Sequence, residues 1–259
     1  MPGAVRLGLI RGMKPVRNNI IRHPVSGPRC VLLFSRSPLR EGMAKGLPEA
    51  CELFAFARRR IAEAVRALPG TDLVLVGDGP APEGTRLLPQ RGRGFGERLR
   101  NAFTDAADLG YEEIVAVPGD VPELSGEHLA KAFDALRGRP VVLGPSPDGG
   151  VWLIGLRLGR GCVEDLFEGV PWRTSRVFAE LSRRAPVPAL LVALLDVDRR
   201  RDLFALAADG GLDPDLRSLL DGLLARSGRR AEPARRIRLS ATRGRSAARA
   251  PPSRAPLAA

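Results

Sequence analysis

The segment EIVAVPGDVPEL, residues 113–124, decides the fold. Its first five residues are apolar apart from Glu113 and show no alternation of apolar and polar positions. That is the pattern of a strand buried on both faces, which requires helices above and below it. Pro118-Gly119 ends the run, and Asp120-Val121-Pro122 follows, so one carboxylate stands at the carboxyl tip of an interior strand. In parallel α/β sheets ligands bind beyond such tips, where the strand order reverses. Asp120 is therefore the first candidate for chemistry, and its alternative is an aspartate bracing a tight turn.

Working outward, the same grammar repeats. Cys30–Ser35, Asp72–Val76, Arg86–Pro89, Pro140–Gly144, Val151–Leu156 and Ala189–Leu195 read as strands. Between them, Ala50, Leu53, Phe54, Ala57, Ile61, Val65 and Leu68 recur at helical spacing, as do Phe95, Leu99, Ala102, Phe103 and Ala106. A helix capped by Ser125, others near Ser175–Arg184 and from about Arg199, and one over Pro214–Leu224 with Asp213 as N-cap complete the series. Residues 36–47 read as a polar loop. Alternating β and α elements predict a three-layer α/β/α sandwich around a mostly parallel mixed sheet, over residues 30–225.

The charge of the 259-residue chain is uneven. Residues 1–29 carry +6 and residues 226–259 carry +9, so the net +12 leaves −3 for residues 30–225. The ends read as a basic N-terminal extension (1–29) and an Arg/Pro-rich tail (226–259), both expected to be disordered and to touch nucleic acid or anionic surfaces only weakly. No apolar run approaches the roughly 18–20 residues that span a bilayer, and no signal-peptide core follows Met1, so the expected location is the cytoplasm. Cys30, Cys51 and Cys162 lack metal-site spacing and read as reduced structural residues. With only His23 and His128 present, a histidine-rich zinc site and a Ser–His–Asp triad are disfavoured.

Other strand ends carry chemistry as well. Arg36, Arg40, Gly42 and Lys45 follow the first strand, where cations and backbone amides suit phosphate; the order of a Walker A loop is absent. Asp196-Val197-Asp198 follows the last strand, with two carboxylates at alternate positions, although Asp198 could instead cap the next helix. Gly92-Arg93-Gly94-Phe95-Gly96-Glu97-Arg98 opens a helix, and Asp148-Gly149-Gly150 lies between two strands, where a plain hairpin turn is the alternative.

The order of these blocks resembles a known family. Gly-Asp-x-Pro-x-Leu at 119–124 is followed by VVLGPSPDGGVWLIGL at 141–156, LFEGVPWRTS at 166–175 and DVDRRRDL at 196–203. This series is similar to bacterial and archaeal glycosyltransferase-A-like (GT-A) proteins labelled selenodomain-associated transferases, within the nucleotide-diphospho-sugar transferase superfamily. They are related in fold to the phospholactate and molybdenum-cofactor guanylyltransferases. The resemblance implies that Asp120 and Asp198 hold Mg2+ or Mn2+. It implies that Arg36, Gly42, Lys45, Gly96 and Arg98 bind the nucleotide. Asp148 would act on an acceptor hydroxyl, and Gly149, Gly150 and Trp172 would bind that acceptor, an unidentified small molecule. The sequence departs from the family at Gly46-Leu47, where Thr-Arg-Leu usually follows the lysine, and at Val151, usually aromatic.

The function expected on these grounds is a metal-dependent transferase using a nucleotide or nucleotide-sugar donor. Two further readings stay open: a nucleotidyltransferase releasing pyrophosphate, and a non-catalytic nucleotide-binding protein that keeps the scaffold.

Overall fold

The computed structural model describes residues 27–158 and 166–228. Most of both basic extensions, with His23 and Cys162, lies outside the described residues. The strands are β1 (Arg29–Ser35), β2 (Thr71–Gly77), β3 (Arg86–Leu88), β4 (Glu113–Val117), β5 (Val141–Pro145), β6 (Val151–Arg157) and β7 (Ala189–Leu190). The helices are α1 (Pro38–Lys45), α2 (Cys51–Arg66), α3 (Phe95–Asp108), α4 (Gly126–Leu136), α5 (Val177–Arg184), α6 (Arg200–Ala207) and α7 (Pro214–Gly228).

One seven-stranded sheet runs in the order β3-β2-β1-β4-β6-β5-β7, and within it β6 alone opposes the other strands. Side-chain alternation splits the strands between two cores. Cys30 and Leu32 of β1 join Ile114 and Ala116 of β4 under Leu99 and Phe103 of α3 and Leu181 of α5. Val31 and Leu33 join Val115 and Val117 under Ile61 and Val65 of α2 and Leu129 and Phe133 of α4. A third cluster packs α6 and α7 on the outer side of α2, through Leu53, Phe54, Leu203 and Leu220. The sandwich expected from the buried central strands is the fold observed.

Two sequence expectations are corrected. The polar loop at 36–47 holds helix α1: the Ser37 hydroxyl accepts from the Arg40 amide, Pro38 occupies the first turn, and Gly46 closes the helix in the left-handed region (φ 68°). The caps were in the sequence, but Gly42 in the helix interior and charges at Arg40, Glu41 and Lys45 hide the apolar stripe by which a helix is usually read. The expected strand at 189–195 shortens to Ala189–Leu190. Beyond it the chain leaves β5 and crosses the sheet's carboxyl edge, making single hydrogen bonds: Leu191 N to Leu143 O (2.9 Å), Leu194 N to Pro145 O (3.3 Å) and Val197 N to Asp120 O (2.9 Å). Because those acceptors belong to two different strand ends, no continuous ladder forms.

The chain runs β1, β2, β3 to one side and returns at β4 to the other, so the order reverses between β1 and β4. The tips of β1 and β2 are in close contact: Ser35 pairs with Gly77, and a Cβ on Gly77 (φ 154°) would stand 1.8 Å from the Ser35 carbonyl oxygen. Gly77→Ala is therefore expected to cost about 3 kcal/mol, by steric displacement of the β1 tip. Gly126→Ala, where a Cβ meets Ala64 only at ordinary contact distance, is expected to change stability by less than about 1 kcal/mol. Urea unfolding of both variants measures the contrast.

Candidate functional site

Three segments far apart in sequence meet beyond the β1/β4 reversal. Gly119 lets the chain leave β4 tightly, since a Cβ there would stand 2.3 Å from the Ser35 hydroxyl oxygen. Asp120 follows with a side chain only 15% exposed. The crossing segment buries Val197 completely, so Asp196 and Asp198 turn together to the other side, as their alternate spacing predicts. Helix α1 delivers Lys45 from its last turn. The Lys45 ammonium donates to Asp120 Oδ2, to Asp198 Oδ1 (2.7 Å) and to the Val197 carbonyl (2.8 Å), and lies 3.7 Å from Glu41 Oε1. Burial alone would lower the Lys45 pKa; Asp120 and Asp198 outweigh it and raise the pKa above the usual lysine value. Asp198 does not cap the following helix: Asp202 does, its Oδ2 accepting from the Asp198 and Arg199 amides.

Asp148 completes the acidic edge. It sits in the β5–β6 hairpin, where its Oδ1 accepts from Gly150 N (2.8 Å). Gly149 (φ 89°) leaves room for the Ser175 carbonyl, which a Cβ would approach to 2.1 Å. The hairpin reading of Asp-Gly-Gly is thus correct, and the hairpin also carries Asp148 to within 4.8 Å, oxygen to oxygen, of Asp196 and Asp198. Desolvation, then the charges of Asp120, Asp148 and Asp198, push Asp196 up to about 7. Asp120 Oδ1 is buried and has no hydrogen-bond partner.

Beside this acidic edge lies a groove of about 600 Å³ lined by Arg36, Arg40, Met43, Ala44, Gly77, Asp78, Gln90 and Arg98. Its cations come from the end of β1, from α1 and from the start of α3. Asp78 Oδ1 accepts from Ser37 N (2.6 Å), and its Oδ2 accepts from Arg40 Nη1. Gln90 donates to the Val76 carbonyl (3.1 Å). Of the residues the resemblance implied for a nucleotide, Arg36 and Arg98 line this groove. Lys45 is on the acidic side, and Gly42 lies inside α1 with its missing side chain facing the Leu47 carbonyl. Gly96 makes room for Trp172, whose indole nitrogen would be 2.1 Å from a Cβ there. Trp172 packs on Phe95 and Phe167 and lines a second pocket of about 300 Å³ with Gly96 and Arg100. Asp78 and Gln90 escaped the sequence reading. The usable signal for Asp78 was a carboxylate directly after a buried strand, masked by the Gly/Pro-rich run at 77–84. His128, as expected, has a packing role: its Nδ1 accepts from Ser125 N at the start of α4, and its ring meets Trp152 edge-on.

With this geometry the chain can be placed among known proteins. A family model described as an uncharacterized protein conserved in bacteria (DUF2064) matches residues 54–174. A crystal structure of a candidate nucleotide-diphospho-sugar transferase from Desulfovibrio desulfuricans G20 aligns with a TM-score of 0.66 at 27% identity, covering 77% of this chain and 98% of that one. A homologue of Mycobacterium tuberculosis Rv0371c, from Mycobacterium sp. strain JC1, aligns at 20% identity over 75% of this chain and 98% of its own (TM-score 0.48). No curated protein matches the chain significantly. The fold is that of the nucleotide-diphospho-sugar transferases, in agreement with the motif order at 119–203. No helix among the described residues is long and apolar enough to cross a membrane.

The acidic edge has a consequence for stability. Because the folded Asp196 pKa lies above its unfolded value, the native state holds this proton more tightly than the unfolded chain. That contribution is full below about pH 4 and is lost as pH rises through about 7. In metal-free protein, Asp196→Asn is expected to flatten the fall in stability across this window. Lys45→Met, which leaves Asp120 buried without its counter-charge, is expected to cost about 3 kcal/mol at neutral pH and less in acid. Urea unfolding with a chelator at acid and neutral pH tests both.

Proposed function

We propose that the chain is a metal-dependent transferase that takes its group from a nucleotide-activated donor, a nucleotide sugar in the first instance. The observation that carries this reading is the adjacency, at the β1/β4 reversal, of a three-arginine groove and a cluster of carboxylates. The Desulfovibrio structure, described as a candidate nucleotide-diphospho-sugar transferase, supports it.

Arg36, Arg40 and Arg98 neutralise the donor's phosphates. Their guanidinium groups offer paired donors that match phosphate oxygens better than a point charge would. Gly77, with no side chain, keeps the floor of the groove low, and the Gln90 amide and Asp78 offer polar contacts to the nucleoside. The acidic edge fits a hard divalent cation: its donors are all carboxylate oxygens, and Asp120 Oδ1 is buried without a partner. Asp120 and Asp198 would hold Mg2+ or Mn2+, with Asp196 adjacent. When bound, the ion supplies positive charge against the leaving phosphate. Lys45 balances Asp120 and Asp198 in the free protein and offers a cation to the same phosphate once those carboxylates are otherwise neutralised. Asp148 is exposed and has one oxygen committed to Gly150, so its other oxygen orients or deprotonates an acceptor hydroxyl. Gly149 and Gly150 let the acceptor approach the hairpin backbone, and Trp172 provides an aromatic wall nearby.

Titration with nucleoside diphosphates and nucleotide sugars, with and without Mn2+, tests this reading. The wild-type chain is expected to bind at least about tenfold more tightly with the ion, and Asp120→Asn to lose that gain. Unchanged metal-dependent binding in Asp120→Asn contradicts the assignment. Release of a nucleoside diphosphate on turnover supports group transfer, whereas release of pyrophosphate supports nucleotidyl transfer on the same scaffold.

A further inference from the structure

Arg58 belongs to none of the features described so far, yet it lies at their meeting point. It projects from the buried face of α2, in line with Phe54, Ile61, Ala62 and Val65, and is only 5% exposed. An arginine this deeply buried needs partners for its donors. Here they are backbone carbonyls: Nη1 donates to Arg36 O (2.5 Å) and Asp78 O (3.1 Å), and Nη2 to Pro80 O (3.2 Å). These acceptors belong to the segments that leave β1 and β2. The stem touches a third strand end, since Arg58 Cγ would lie 3.3 Å from a Cβ on Gly119. Gly79 is equally close on the other side, with Nη1 3.4 Å from its Cβ position. The side chain thus threads between two glycines that have no side chains to block it.

The three strand ends gathered here are the functional ones. The first gives Arg36 and the start of α1, the second gives Gly77 and Asp78, and the third gives Asp120. An apolar side chain would fill the same space under α2, but the three carbonyls would then have to turn toward water. We propose that Arg58 is a positioning residue that fixes the width of the groove and its alignment with Asp120, and so sets nucleotide affinity without touching the nucleotide. This rests on the reading of the groove as a nucleotide site. A planar fork is needed, because two nitrogens must serve three carbonyls divided between two loops.

Amide hydrogen exchange on the full chain, free of ligand, tests the tether itself. Arg58→Met is expected to speed exchange about tenfold or more in residues 36–40 and 77–84, leaving α4 (Gly126–Leu136) unchanged. Arg58→Lys, which keeps a donor in place, is expected to restore part of the protection and serves if Arg58→Met does not fold. Titration of the same proteins with nucleoside diphosphates and Mn2+, well below their unfolding midpoints, is expected to show affinity falling about tenfold in Arg58→Met. Unchanged exchange, exchange raised equally throughout the chain, or loosened loops with wild-type affinity would each overturn the proposal. A wild-type chain that binds no nucleotide would overturn the functional reading instead, and the exchange result alone would then decide whether Arg58 holds the loops.

Discussion

Lys45 carries the charge balance of one edge of this molecule. Asp148, Asp196 and Asp198 cluster there with Asp120 beside them and Glu41 on the flank, and the Lys45 ammonium bridges Asp120 and Asp198. Burial first, and then the neighbouring charges of Asp120, Asp148 and Asp198, push Asp196 up to about 7. The fold tolerates the cluster because α1 ends where it does: Gly46 stops the helix one residue after Lys45, and the ammonium reaches both the β4 tip and the crossing segment. This surplus of negative charge is what the proposed divalent cation would balance. The groove next to it holds three guanidinium groups, of which Arg36 pairs with Glu41 and Arg40 with Asp78.

The sheet supplies the stage for both. Reversal of strand order between β1 and β4 leaves an opening at their carboxyl ends that helices cannot cover, and the buried strands beneath it are held on both faces by separate cores. Rigid strands ending in short, glycine-assisted exits give each functional side chain a defined origin. The crossing segment 191–198 is the exception. It is held by isolated hydrogen bonds, among them Trp152 Nε1 to Val192 O (3.0 Å), and it carries two of the three clustered aspartates, Asp196 and Asp198.

Much of this was legible in the residues. Short apolar runs such as IVAV, bounded by Pro-Gly, read as interior strands, and Phe95–Asp108 or Cys51–Arg66 announce themselves by spacing, so the architecture followed from local pattern. Asp120, Asp148 and Asp198 were readable because Gly-Asp, Asp-Gly-Gly and Asp-x-Asp stand at strand ends. Helix α1 was not, because its apolar residues Leu39 and Met43 are exposed while Glu41 and Gly42 are buried, the reverse of the usual signal. The position of Lys45 depended on that helix and on a segment more than 150 residues away, a tertiary fact with no local trace. Asp78 and Arg58 were hidden for different reasons: one lay in a stretch that reads as turn, the other on a helix face whose spacing predicts only an apolar residue.

The carboxylate edge and the arginine groove are proposed to form one site for a metal-bound nucleotide. Anomalous scattering from Mn2+ in crystals grown with a nucleoside diphosphate decides whether they do. A manganese peak against Asp120 and Asp198, with the diphosphate reaching from it into the groove beside Arg36 and Arg98, is the predicted result. A nucleotide bound elsewhere, or manganese absent from that edge while the nucleotide fills the groove, would contradict it.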